Sequence, residues 1–175
     1  MNRRTAIRQV VFISAGAVLL PSCMQEDKPT LALKNLSLTG ADEQMLATLS
    51  DTIIPKTSSF IGASDLKAHE FVLTMIDDCS SPEDQQQFIK GMKSFEESCK
   101  KKFDHSFIKC TPAEKTTWLQ MLESKKDVPE EAVAFYQMTK RYTVQNFTSS
   151  KDFMTIVRNY KMVPGNNFKG CVPVA

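Results

Sequence analysis

Thr111-Pro112-Ala113-Glu114 carries the strongest local instruction in this chain of 175 residues. A threonine hydroxyl that accepts from the third helical N–H, with a glutamate at that position reaching back, forms a capping box, and proline suits the first helical position because its φ is already set. Trp118, Leu119 and Leu122 follow as an apolar face. The pattern recurs. Thr39-Gly-Ala-Asp42 precedes Leu46, Leu49 and Ile53, and Pro55 ends that run; Ser64 precedes Phe71, Val72, Met75, Ile76 and Cys79; Ser81-Pro82-Glu83-Asp84 precedes Phe88, Met92, Phe95 and Cys99. Asp127 to Glu130 opens a longer stripe through Ala132, Phe135, Tyr136, Thr139 and Thr143, and Thr148 or Ser149 is placed to cap a last short helix through Val157. Apolar residues three and four apart behind such starts predict an all-α protein, a compact bundle of five to six helices in a single domain over residues 39–175. Two stretches break the pattern. Phe103, His105 and Phe107 alternate, so Phe103 to Cys110 reads as an extended connector or a short strand, and from Tyr160 onward the chain is irregular and turn-rich.

The N-terminus follows other rules. A basic start with Arg3, Arg4 and Arg8 leads into an apolar run from Val10 to Leu20. As a helix that run spans roughly 16 Å, well short of a hydrocarbon core of about 30 Å, so residues 1–22 read as an export signal peptide. Arg3 and Arg4, with Ala6 and Ile7 behind them, resemble the twin-arginine motif that exports folded proteins. Leu20-Pro-Ser-Cys23 resembles a bacterial lipobox with Cys23 as the lipidated residue, the alternative being a free cysteine beside a conventional cleavage site. Residues 23–38 then form a tether, and the expected location is the periplasm, on a membrane surface held by a lipid anchor. Composition enters here. The chain carries 22 Lys and Arg against 20 Asp and Glu; without those three arginines 19 bases remain, and no basic surface is left to attract nucleic acid.

Motifs for cofactor chemistry are missing. The sequence holds no Cys-x-x-Cys-His for haem attachment, no Gly-x-Gly-x-x-Gly and no Gly-x-x-x-x-Gly-Lys. His69-Glu70 begins like a zinc-protease helix, but Leu73 stands where the second histidine belongs. A site using His69 and His105 together would join separate segments, Asp77 and Asp78 read as a solvated helix end, and nine scattered methionines read as core filling. No catalytic, cofactor-binding or metal residue is expected. Phe103, Phe107 and Trp118 are the surplus aromatics that suit contact with a partner.

Four cysteines remain beyond Cys23. Cys79 and Cys99 stand before and near the end of one continuous helix, roughly 25 to 30 Å apart, which excludes a bridge between them. Pairing Cys79 with Cys110 would need the connector to run extended back along that helix. The favoured arrangement is Cys79 with Cys171, pinning the irregular tail, and Cys99 with Cys110; the alternative is four reduced thiols.

Several stretches together resemble the gluconate 2-dehydrogenase subunit 3 family. They are the twin-arginine start; Leu49-Ser-Asp-Thr-Ile-Ile-Pro55 with Gly62-Ala63; His69-Glu-Phe71 with Met75 to Cys79; Gln86 to Gly91; Ala134-Phe-Tyr-Gln-Met138, Tyr142-Thr143 and Phe147-Thr-Ser149; and Tyr160, Val163-Pro-Gly165 and Gly170-Cys-Val172. The resemblance implies a non-catalytic small subunit that escorts, exports and stabilises a flavin-dependent sugar or sugar-acid dehydrogenase. FAD would sit in the large partner subunit and haem c in a cytochrome subunit. The chain departs from the family at Asn146, where glycine is usual, and at Ser150, where an acid often stands. The alternative function is a stand-alone periplasmic, lipid-anchored binding or scaffold protein.

Overall fold

The computed structural model describes residues 28–162. The export signal with Arg3 and Arg4, the lipidation candidate Cys23 and the tail cysteine Cys171 lie outside the described residues. Five α-helices follow in order: α1 (Gly40–Ile53), α2 (Ala68–Cys79), α3 (Pro82–Phe103), α4 (Pro112–Ser124) and α5 (Glu130–Thr148). A 3-10 turn, Phe107–Lys109, joins α3 to α4, and a π-helical turn, Phe153–Val157, follows α5. No strand occurs among the described residues.

The sequence starts act as caps at three helices. Thr39 and Asp42 form a reciprocal box on α1, Thr111 and Glu114 form one on α4, and Ser81 accepts from Asp84 N–H ahead of Pro82 on α3. Elsewhere the boundaries differ from expectation. Ser64 opens a turn instead of a helix: Lys67 sits in the left-handed region at φ 49°, and α2 begins only at Ala68. Phe103 to Cys110 is neither extended nor a strand. Helix α3 runs through Phe103, Asp104 turns left-handed at φ 62° and donates to the Lys100 carbonyl, and the 3-10 turn follows. The alternation misled because Phe107 is buried from a turn. At the end of α5 the hydroxyls of Thr148 and Ser149 donate back to the Val144 and Gln145 carbonyls, and it is Ser150 that accepts from Phe153 N–H.

The core is centred on α3 and α5. Phe95 of α3 meets an aromatic ring from each neighbouring element: Phe107 of the 3-10 turn at 5.1 Å between centroids, Trp118 of α4 at 5.8 Å and Phe135 of α5 at 5.4 Å. Edge-to-face contacts of this kind add to the area buried. Close approach is licensed by Gly91, where an added Cβ would lie 2.5 Å from the Glu131 carbonyl oxygen and 2.7 Å from Phe135 Cβ. Lys90 and Glu131 pair at 3.0 Å beside that crossing. Helix α4 is tied to α5 through Glu123, which accepts from Tyr136 Oη at 2.7 Å and pairs with Lys140.

Over its described part the expected tether is docked. Leu36 is buried in the core, and Leu31, Leu33 and Leu38 pack against it half-buried.

Candidate functional site

Two polar clusters and one apolar strip carry the chemistry of the surface. The first cluster lies where α3 gives way to α4. Cys99 is buried one turn before the helix ends, and the 3-10 turn carries Cys110 back over it, so the two sulfurs lie 3.6 Å apart. Cys110 Sγ also approaches the Ser106 carbonyl oxygen at 3.6 Å. Beside the pair, Glu114 accepts from the backbone and hydroxyl of Thr111 at 2.7 and 2.8 Å, and His105 Nε2 lies 3.3 Å from the same carboxylate oxygen. Those bonds hold the Glu114 carboxyl below its ordinary range, the Thr111 backbone donor first. Burial pushes both thiols up, Cys99 the further, and the neighbouring Glu96 and Glu114 charges act in the same direction. The ligand atoms of His105, Cys110 and Glu114 all lie within 4.8 Å of one another. They amount to three donors, against the four of a closed zinc site. Sequence reasoning missed this grouping because it sought a histidine partner for His105, whereas the turn brings a cysteine and a cap glutamate.

The second cluster holds the N-terminal strap, residues 28–38. Asp77, expected to be solvated, is only 4% exposed. Its carboxylate accepts from three successive backbone N–H groups, Lys34 at 2.8 Å, Asn35 at 2.7 Å and Leu36 at 2.8 Å. Burial works to raise its pKa, but those three donors and the Lys34 charge outweigh it and the carboxyl lies below its ordinary range. Asp78 is exposed and pairs with Lys34 at 3.0 Å. Further along, buried Glu43 accepts from Thr30 N–H at 2.6 Å and from the Thr30 hydroxyl, with His69 Nε2 3.8 Å away. His69 is thus a half-buried neighbour of a strap contact. Four of the strap's backbone donors are taken up by two acids on α1 and α2, across 13 residues for Glu43 and more than 40 for Asp77, pairings that no local pattern announces.

Third is the C-terminal strip. The aromatics singled out for partner contact are placed otherwise: Phe107 and Trp118 are fully buried and Phe103 is half-buried, its ring 6.4 Å from Trp118. They fill the hole at the α3, α4 and α5 junction, which takes rings because the 3-10 turn supplies no second layer of side chains. The large apolar residues that are exposed are Val144 at 39%, Ile156 at 63%, Val157 at 52%, Tyr160 at 53% and Met162 at 85%. Four of these five lie within seven residues. The segment is fixed at its start by a ring stack running from Phe60 of the α1–α2 loop to Phe147 (5.7 Å) and on to Phe153 (5.5 Å). Asn146, where glycine is usual in the resembled family, has a buried side-chain oxygen with no protein partner.

Cys79 ends α2 and is exposed. Its proposed partner Cys171 lies outside the described residues. No described helix is long and apolar enough to cross a membrane.

Neither the curated proteins nor the solved structures yield a match to this chain. A family model does match, the one described as Gluconate 2-dehydrogenase subunit 3, and it covers residues 41–165. The match takes in the five helices from Ala41 onward, the cysteine corner, Asp77 and the C-terminal strip, and leaves the strap, residues 28–38, outside it. With well over half of its length aligned to that model, the chain belongs to the gluconate 2-dehydrogenase subunit 3 family.

Proposed function

We propose that this chain is the non-catalytic small subunit that escorts, exports and stabilises a flavin-dependent sugar or sugar-acid dehydrogenase of the gluconate type. The carrying observation is the family match over residues 41–165, whose description is that of one subunit among others. A subunit needs a surface for its partner, and the strip of Ile156, Val157, Tyr160 and Met162 is the apolar surface left over once the core is closed. In this reading FAD belongs to the large partner subunit and haem c to a cytochrome subunit. The twin-arginine signal at Arg3 and Arg4 serves both proteins: the large subunit folds around its cofactor inside the cell and leaves bound to the small one. Cys23 then carries the lipid that keeps the complex on the periplasmic membrane surface.

Affinity purification of the full chain from the membrane fraction of its native host tests the proposal. A flavoprotein in stoichiometric amount, with a flavin absorbance spectrum and sugar-acid-dependent dye reduction, is the expected result. Recovery of the chain alone would overturn it in favour of a stand-alone lipid-anchored scaffold. Replacing Arg3 and Arg4 by Lys is expected to retain both proteins in the cytoplasm together, and export of the flavoprotein without the small chain would contradict the escort role.

A further inference from the structure

The cysteine corner has a use that subunit assembly does not explain. Two buried thiols face each other at 3.6 Å, one in the last full turns of a rigid 22-residue helix and the other at the end of a short connector. Cys99 is entirely inaccessible, whereas Cys110 is 5% exposed and sits on the 3-10 turn. That turn is three residues long: Phe107 anchors it, its ring 5.1 Å from that of Phe95 and its N–H donating to Glu96 at 3.3 Å, and beyond that anchor it is held by Lys109 N–H to the Ser106 carbonyl at 2.9 Å and Cys110 N–H to the Phe107 carbonyl at 3.2 Å. Short elements of this kind open locally without global unfolding.

We infer that Cys99 and Cys110 are a thiol-disulfide site: opening of the 3-10 connector presents Cys110 to a disulfide-bearing oxidant, Cys99 resolves the mixed disulfide, and reclosure buries a bond that locks α3 to α4.

Each step balances. In the open state Cys110 loses its proton and its thiolate attacks one sulfur of the oxidant's disulfide, expelling the other sulfur as a thiolate and leaving a mixed disulfide. While the connector is still open, Cys99 loses its proton and its thiolate attacks Cys110, expelling the oxidant's remaining sulfur, and the turn then recloses with the two sulfurs bonded. Two cysteine protons and two electrons have passed to the oxidant, which departs as a dithiol. The closed geometry explains why the connector must move. With both thiols buried and held protonated by their surroundings, neither is a nucleophile in the shut state, because the thiolate is the reactive form. The same burial shields the finished bond from small thiols. Cys79 is too distant to compete, being at the far end of the α2–α3 hairpin.

The arrangement favours this over a metal site. His105, Cys110 and Glu114 offer three donors against the four of a closed zinc site, and the Glu114 oxygen that faces His105 is already taken by the cap hydrogen bonds from Thr111.

The test is peptide mapping of the full chain, exported by a bacterial host, recovered from the envelope and alkylated in denaturant before digestion. Trypsin releases Cys99 in peptide 94–100 and Cys110 in peptide 110–115. The expected product is these two joined, 2 Da lighter than their sum. Alkylation of both cysteines, or a bridge from either to Cys79 or Cys171, would overturn the inference. So would one equivalent of zinc by metal analysis with the thiols alkylated only after chelation. A second readout separates the bond from packing. In a C79S/C171S background, reductant added during thermal unfolding is expected to lower the melting temperature by about 8 °C, as expected for opening a loop of this length. It should leave a chain carrying C99A/C110A in that same background unmoved; an equal response of the two chains would contradict the bond. Reductant added to the folded chain is expected to act slowly, and immediate reduction would contradict the gating by the turn.

Discussion

The α3–α5 crossing and the C-terminal strip are built from similar residues and behave oppositely. At the crossing, Phe88, Phe95, Phe135 and Gly91 come from two long helices of 22 and 19 residues, and the three phenylalanines are all fully buried. On the strip, Ile156, Val157, Tyr160 and Met162 come from a five-residue π turn and the chain after it, which is too short to have an inward face for all of them. Hydrophobicity alone does not decide burial; the length of the element carrying it does, since a stripe needs several turns to align. One region consumes its apolar surface in folding and the other leaves it for something else.

The strongest way to break that contrast is at Phe95. Phe95→Ala removes the ring that meets three others and is expected to cost about 4 kcal/mol, the usual scale for a buried phenylalanine. Thermal unfolding followed by circular dichroism checks this, and a loss below about 1 kcal/mol would mean the core closes without its centre. Gly91→Ala comes next. Its methyl group would meet the Glu131 carbonyl at 2.5 Å, so the helices must separate, at about 2 kcal/mol. Urea midpoints measure it, and the Lys90–Glu131 pair is expected to loosen in step.

Asp77 tests the strap instead of the core. Asp77→Asn keeps the shape but removes the charge that three backbone N–H groups share, and a cost on the order of 2 kcal/mol at pH 7 is expected. The pH dependence has a definite sign. The folded carboxyl lies below its ordinary value, so its contribution is present in full above the unfolded pKa of about 3.9 and disappears as pH falls through the folded value. Native and D77N chains are therefore expected to differ in urea midpoint at pH 7 and to converge at low pH. A gap that stayed constant would assign the effect to packing. Cleavage by protease within residues 28–38 should rise in the variant before any global unfolding.

These regions also mark how far the residues announced the fold. The capping boxes at Thr39 and Thr111 and the Ser81-Pro82 start were legible because each is closed within four residues. Helix faces were legible from Leu46 to Thr143 for the same local reason. Ser64 was not, since what stops a helix there is the left-handed Lys67 and the Ala68 N–H bonded back to the Ala63 carbonyl. Phe103 and Phe107 looked surplus because they were read in an extended connector, whereas Phe107 meets Phe95 from the turn, Trp118 meets it from α4, and Phe103 packs on Trp118. The juxtaposition of Cys99 and Cys110 followed from eliminating longer spans. The nearness of His105 and Glu114 did not, because it depends on the 3-10 turn. The Asp77 clamp was invisible: its partners are backbone groups of a segment read as a tether.

The smallest effect on stability belongs to the strip, and it bears most directly on function. Ile156 and Val157 are more than half exposed, so an I156D/V157S chain should unfold within about 0.5 kcal/mol of the native one, as surface substitutions do. Truncation of interface anchors by contrast commonly weakens binding by 2 kcal/mol or more, a thirtyfold loss that pull-down with the co-expressed flavoprotein detects. The expected outcome is therefore an intact monomer with normal melting that no longer retains its partner. If melting instead falls by several degrees, the strip's side chains support the fold itself, and the difference between the two regions shrinks to one of degree. If neither melting nor retention changes, the partner surface lies elsewhere, and Val144 on the exposed face of α5 is the next position to replace.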